Sequence, residues 1–82
     1  MFSNRYNGRN NIAGIGMRRI RKDMGISQRK IAVLLQQNGI DIDKNAVQRM
    51  ESGERFITDV EVAGLLRTFN ISYDKLMELS ME

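Results

Sequence analysis

Glycine ends three successive segments of this chain, and each segment carries apolar residues at helical spacing. Ala13, Met17, Ile20 and Met24 recur at offsets of 0, 4, 7 and 11, with Ile12 and Ile15 beside them, which gives one apolar helix face before Gly25. Ser27 is an N-cap residue for a second helix, in which Ile31, Ala32, Leu34 and Leu35 share a side before Asn38-Gly39 stops it. After an extended Ile-Asp-Ile-Asp connection, Asp43 caps a short third helix ended by Gly53, with Val47 and Met50 facing inward. Thr58 and Glu61 form the capping-box spacing for a fourth helix carrying Val62, Leu65, Leu66 and Phe69. Ser72 opens a fifth, with Leu76, Met77 and Leu79 on its inner or partner-facing side.

The expected helices span about 12–24, 28–37, 44–51, 59–69 and 73–80. Strand-like alternation never exceeds the four residues Ile40 to Asp43, and no internal repeat is visible, so the fold class is all-α. With 82 residues, there is interior for one hydrophobic core and no more. The first eleven residues hold four Asn and a Gly with no periodic apolar pattern and read as a mobile arm.

The residue types present narrow the chemistry. Without Cys or His the common zinc sites and the Ser-His and Cys-His catalytic pairings are excluded, so no metal, no cofactor and no enzymatic activity are expected. Asp41 and Asp43 are a close acidic pair, but no phosphate loop or metal spacing surrounds them, and they read as turn and cap residues. No small-molecule substrate is evident. No apolar run reaches the roughly 18 residues of a membrane span and no secretory signal pattern opens the chain, so a cytoplasmic protein is expected.

Charge is distributed unevenly. Residues 1–30 carry eight Lys and Arg against Asp23 alone, a balance of +7, whereas the remainder carries five against nine, a balance of −4. A positive region on a nearly neutral molecule suits docking on a polyanion.

Ile20-Arg21-Lys22-x-x-Gly25-Ile26-Ser27-Gln28, then Ile31-Ala32, then Val47-x-x-Met50-Glu51-Ser52-Gly53-x-Arg55 resembles the Cro/CI-type (Xre-type) helix-turn-helix transcriptional regulators over residues 12 to about 79. The resemblance implies a compact five-helix, lambda-repressor-like DNA-binding domain, whose third helix enters the major groove of double-stranded DNA, usually as a homodimer on a near-palindromic operator. It implies base contacts from Lys44, Asn45, Gln48 and Arg49. Their chemistry suits that role, since Asn pairs bidentately with adenine, and Arg or Lys with guanine O6 and N7. It implies phosphate contacts from Ser27, Gln28, Ser52 and Arg55, and an ion pair between Arg21 and Glu51. Arg29 and Lys30 occupy the first turn of helix two, where the dipole favours acids, so these cations read as further phosphate contacts.

The chain departs from the compact family form between Ala32 and Glu51, which are 19 residues apart. The surplus of about five residues lengthens helix two and its connection to helix three, where Ile40 and Ile42 are expected to anchor the chain under the domain. Two features stay open. Arg5 and Arg9 fit either a DNA-following arm or an uninvolved tail. Tyr73, Met77, Leu79 and Met81 fit either a dimer surface or the core. Against the DNA-binding regulator, a repressor by preference, stands a protein-interaction module of the same fold, such as an antitoxin or an anti-repressor.

Overall fold

A computed structural model describes residues 4–81 of the chain. Within them the elements run α1 (Ala13–Met24), α2 (Gln28–Gln37), α3 (Lys44–Ser52), α4 (Asp59–Phe69) and α5 (Tyr73–Met81), with no strand. None of the described helices is long and apolar enough to cross a membrane.

The ends of these helices follow from local chemistry. Ser27 Oγ accepts from Lys30 N at 3.0 Å, Asp43 Oδ1 from Ala46 N at 2.8 Å and Ser72 Oγ from Lys75 N at 3.1 Å, each satisfying an N–H that the helix itself leaves open. At α4 the capping box is complete: Thr58 Oγ1 accepts from Glu61 N at 3.2 Å while Glu61 Oε1 accepts from Thr58 N at 3.0 Å. Gly25 and Gly53 close α1 and α3 in the left-handed region, at φ 68° and 89°.

α1 is the element about which the others assemble, packing on α5, α3 and α4, while α2 packs on α3 and α4. The core contains Met17 from α1, Ile31 and Leu35 from α2, Val47 and Met50 from α3, Leu65 from α4 and Leu76 from α5, all fully buried. At about 1.5–3 kcal/mol for each large side chain removed from water, these seven supply much of the drive for assembly. Ile40 and Ile42 are also buried, so the long connection is anchored as its sequence implies. It is further tied by Ile40 N to Leu35 O (2.9 Å), Gln36 Nε2 to Ile42 O (2.7 Å) and Arg67 Nη2 to Asn38 O (3.1 Å).

One expectation is corrected. Met24, placed on the apolar face of α1 by its periodicity, is 50% exposed at the helix's last residue. Within the segment read as an arm, Tyr6 to Arg9 form a turn in which Tyr6 N donates to Arg9 O and Arg9 N to Tyr6 O, both at 2.9 Å, and Asn10 N donates to Gly53 O at 2.8 Å. Long-range hydrogen bonds thus reach a segment that lacks apolar periodicity. The arm's residues 1–3 lie outside the described residues.

Close approach of α1 to its neighbours depends on two glycines. A Cβ on Gly14 would overlap the Met50 carbonyl oxygen, and one on Gly16 would overlap Ser80 Oγ and lie 2.9 Å from the Leu76 carbonyl oxygen. The Gly16 N–H, one of the open donors of the first turn, is met by Ser80 Oγ at 3.1 Å, which explains a buried serine in α5. Alanine at Gly14 would gain about 1 kcal/mol of helix propensity, but overpacking against a backbone carbonyl costs about 1–3 kcal/mol and disturbs bonds at Asn11 as well. Gly14→Ala is therefore expected to lower Tm by several degrees in a calorimetric scan; a rise would contradict the close approach.

Candidate nucleic-acid interface

α3 divides sharply between two faces. Ala46, Val47, Met50 and Glu51 are buried, whereas Lys44, Asn45, Gln48, Arg49 and Ser52 are exposed. Successive residues turn by about 100°, so Asn45 and Ser52 lie at the centre of the outer face, Gln48 and Arg49 flank them equally on opposite sides, and Lys44 lies at its margin. The side chains of Lys44, Asn45, Gln48 and Arg49 make no hydrogen bond or ion pair with any described residue. All four base-contact candidates thus project from one free helical face.

The rotation of α3 is fixed from behind by Glu51. Arg21 Nε donates to Glu51 Oε2 at 2.7 Å and Nη2 to Oε1 at 2.9 Å, a bidentate pair in which both residues are buried. The third guanidinium nitrogen, Nη1, donates to Ile26 O at 2.9 Å, and Gln28 Nε2 adds a further bond to Glu51 Oε1 at 3.0 Å. Hydrogen bonding to Glu51 pushes the Arg21 guanidinium above its ordinary range, against the opposing effect of burial. One carboxylate therefore joins α1, the α1–α2 turn, α2 and α3.

The phosphate candidates divide into two groups. Arg29 and Lys30 are exposed, and their side chains have no partner among the described residues. The other four already have partners: Ser27 caps α2, Gln28 is bonded to Glu51, Ser52 Oγ donates to Arg49 O at 3.2 Å, and Arg55 grips Glu61. In that grip Arg55 Nη1 donates to Glu61 Oε1 at 2.9 Å and Nη2 to Oε2 at 2.8 Å, while Nη1 also reaches Phe56 O at 3.0 Å. This pair braces the α3–α4 loop onto the first turn of α4.

Arg18 stands outside the sequence motifs, yet the fold brings it to this surface. It shares a hollow with Gln28, Gln48, Glu51 and Ser52, is exposed, and bonds no described residue. Helical spacing is the signal that could have found it: Arg18 lies three residues before Arg21, on the side of α1 that meets α3. On the opposite side of α3, Arg49 shares a hollow with Gln36, Asp41, Asp43 and Arg55, so two acids of the long connection stand beside it. Of the suggested dimer residues, Tyr73 and Met81 are each 55% exposed, Met77 packs against the core, and Leu79 is half-buried. Among the described residues no group of three or more acidic side chains converges to hold a metal ion.

No family model, curated protein or solved structure matches this chain, so the functional reading rests on its own residues.

The two ion pairs can be tested separately. Glu51→Gln keeps the shape but strips charge from a buried guanidinium's partner, and loss of charged hydrogen bonding is expected to cost about 1.5–3 kcal/mol. In a domain this small that corresponds to a fall in Tm of roughly 10 °C, and an unchanged Tm would rule out the pair as a structural element. The Arg55 hydrogen bonds hold the Glu61 carboxyl below its ordinary value of 4.5, with Thr58 N–H assisting and burial opposing. A lowered folded-state pKa contributes stability that is present above the unfolded value and lost as pH falls through the folded one. Urea unfolding from about pH 5 downward is therefore expected to lose stability less steeply in Glu61→Gln than in the parent.

Proposed function

We propose that this protein is a sequence-specific double-stranded DNA-binding regulator, a repressor of the helix-turn-helix kind, with α3 entering the major groove. The observation that carries this reading is the free outer face of α3. A helix of nine residues presents Lys44, Asn45, Gln48 and Arg49 outward with no internal partner, while its rotation is set by a buried ion pair. Those side chains match the donors and acceptors of base edges: Asn45 suits adenine, and Lys44 and Arg49 suit guanine. Gln48 flanks the centre of the face on the side of Gln28 and Arg18, as Arg49 flanks it on the other, so both are placed to read bases.

Arg29 and Lys30 support the same reading from α2. Cations in the first turn oppose the helix dipole by about 0.3–1 kcal/mol, and neither is offset by a bond within the described residues. A phosphate backbone lying against that turn accounts for both. Ser27, Gln28, Ser52 and Arg55 then act chiefly as the frame that holds this surface, with any phosphate contact secondary to their internal bonds.

A homodimer on a near-palindromic site is part of the proposal, with Tyr73 and Met81 offering apolar surface on α5. A second reading, a protein-interaction module such as an antitoxin or anti-repressor, draws on Phe56 and Val60, which are 67% and 66% exposed. Selection from random duplexes separates the two. An enriched palindrome is the expected outcome; absence of sequence preference, or of any binding, would move the weight to a polypeptide partner.

Within the DNA reading, Arg49→Ala is expected to relax preference at one base position by about 1–3 kcal/mol. Arg29→Ala is expected to weaken all duplexes alike, to reduce the salt slope by about one, and to leave Tm equal or slightly higher, since an unfavourable cation leaves the helix start. Affinity titrations at several salt concentrations check both. Identical behaviour of the two variants would overturn this division of roles.

A further inference from the structure

We infer that Arg9 and Asn11 are positioning residues for α3, clamping its carboxyl end so that its outer face meets DNA at a fixed angle. The inference rests on the DNA reading of α3 proposed above.

Helix ends leave carbonyl groups open, and these must find donors outside the helix. At the end of α3 the Met50 carbonyl accepts from Gly53 N at 3.3 Å, Asn11 Nδ2 at 3.0 Å and Arg9 Nη2 at 3.2 Å. Asn11 Nδ2 also reaches Arg55 O at 2.6 Å, and Asn10 Nδ2 reaches Glu54 O at 2.9 Å. Together with the Asn10 N–H on Gly53 O, the turn meets Met50, Gly53, Glu54 and Arg55 in succession. It follows the chain as it leaves α3.

The opposite side of Asn11 addresses α1. Its Oδ1 accepts from Gly14 N at 2.9 Å, so one amide side chain caps the start of α1 and the end of α3. Gly14 lies directly against the same Met50 carbonyl, and no side chain fits between the two helices there. Arg9 completes the clamp. Its Nε and Nη2 donate to Asn11 O (3.1 Å) and Asn11 Oδ1 (3.3 Å), and its side chain lies across Gly53, where a Cβ would stand 2.8–2.9 Å from Arg9 atoms. The guanidinium is thereby a cation at the negative end of the α3 dipole, partly withdrawn from water, which lowers its pKa.

Base readout tolerates errors of only about 10–20° in the presentation of side chains. α3 is held at its start by Asp43 and, through the Glu51 side chain of its last turn, by Arg21, but neither contact reaches the open Met50 carbonyl or the Gly53–Arg55 backbone that follows. The turn supplies that third restraint, and Arg9 acts from inside the protein, whereas a DNA-following arm would need its guanidinium free.

The test uses the full chain and Asn11→Ala, with Arg9→Gln as the milder second variant. In amide hydrogen exchange the clamp is expected to show as a loss of protection of about tenfold at Gly53 and Arg55, with α4 amides unchanged. With a selected duplex and a scrambled one, affinity for the selected duplex is expected to fall about tenfold while scrambled-duplex affinity and salt slope stay the same. Equal losses on both duplexes, or unaltered exchange at Gly53 and Arg55 in both variants, would overturn the inference. If Asn11→Ala fails to fold, Arg9→Gln carries the same two measurements. Should the parent chain bind neither duplex, the DNA reading falls by itself, and intact protection in Arg9→Gln would separately remove the clamp.

Discussion

The buried pairing of Arg21 with Glu51 is the interaction on which the arrangement of the first three helices depends. A guanidinium and a carboxylate taken out of water are tolerable only if nearly every donor and acceptor is met, and here the fork of Arg21 is spent on Glu51 and on the Ile26 carbonyl. Because that fork is planar and rigid, it fixes direction as well as distance. Glu51 cannot turn outward without stranding a buried cation, so Val47 and Met50 stay inside and Asn45 and Gln48 stay outside. The polar face of α3 is thus a consequence of a contact on its opposite side.

Backbone proximity does for α1 what the ion pair does for α3. Gly14 and Gly16 both lie in the first turn of α1, the one against the Met50 carbonyl and the other against Ser80 and the Leu76 carbonyl. Such approaches trade the entropy of glycine for contact between helices that a side chain would hold apart. They also place the open N–H groups of that turn within reach of Asn11 Oδ1 and Ser80 Oγ. A helix that lacks a side-chain cap from its own N-cap residue, Ile12, is capped instead by its surroundings.

Whatever local spacing encodes is legible in the sequence. Ser27, Asp43, Thr58 with Glu61, and Ser72 mark helix starts, Gly25 and Gly53 mark ends, and the isoleucines of the connection mark its burial. The features that escape it depend on residues far apart in the chain. Asn11 looks like loop composition until Met50, some forty residues later, supplies its partner. Met24 has the right period for a buried face, but periodicity defines a face without saying what covers its end. For the candidate interface, residue types locate the free face of α3, while the internal bonds of Gln28, Ser52 and Arg55 and the place of Arg18 require three dimensions.

Charge counting shows the same limit in a form that bears on function. Of the eight cations in residues 1–30, Arg21 is neutralised inside the protein, Arg9 is turned onto the end of α3, and Arg19 donates to the Leu79 carbonyl. Among the acids, Glu51 and Glu61 are likewise matched by Arg21 and Arg55. Subtracting the paired groups leaves Arg18, Arg29, Lys30, Lys44 and Arg49 around the outer side of α2 and α3, with Asp41 and Asp43 at the edge beside Arg49. On the proposed DNA reading, a polyanion would meet Arg29 and Lys30 at the start of α2, while Asp41 and Asp43 at the long connection are offset by Lys44 and Arg49.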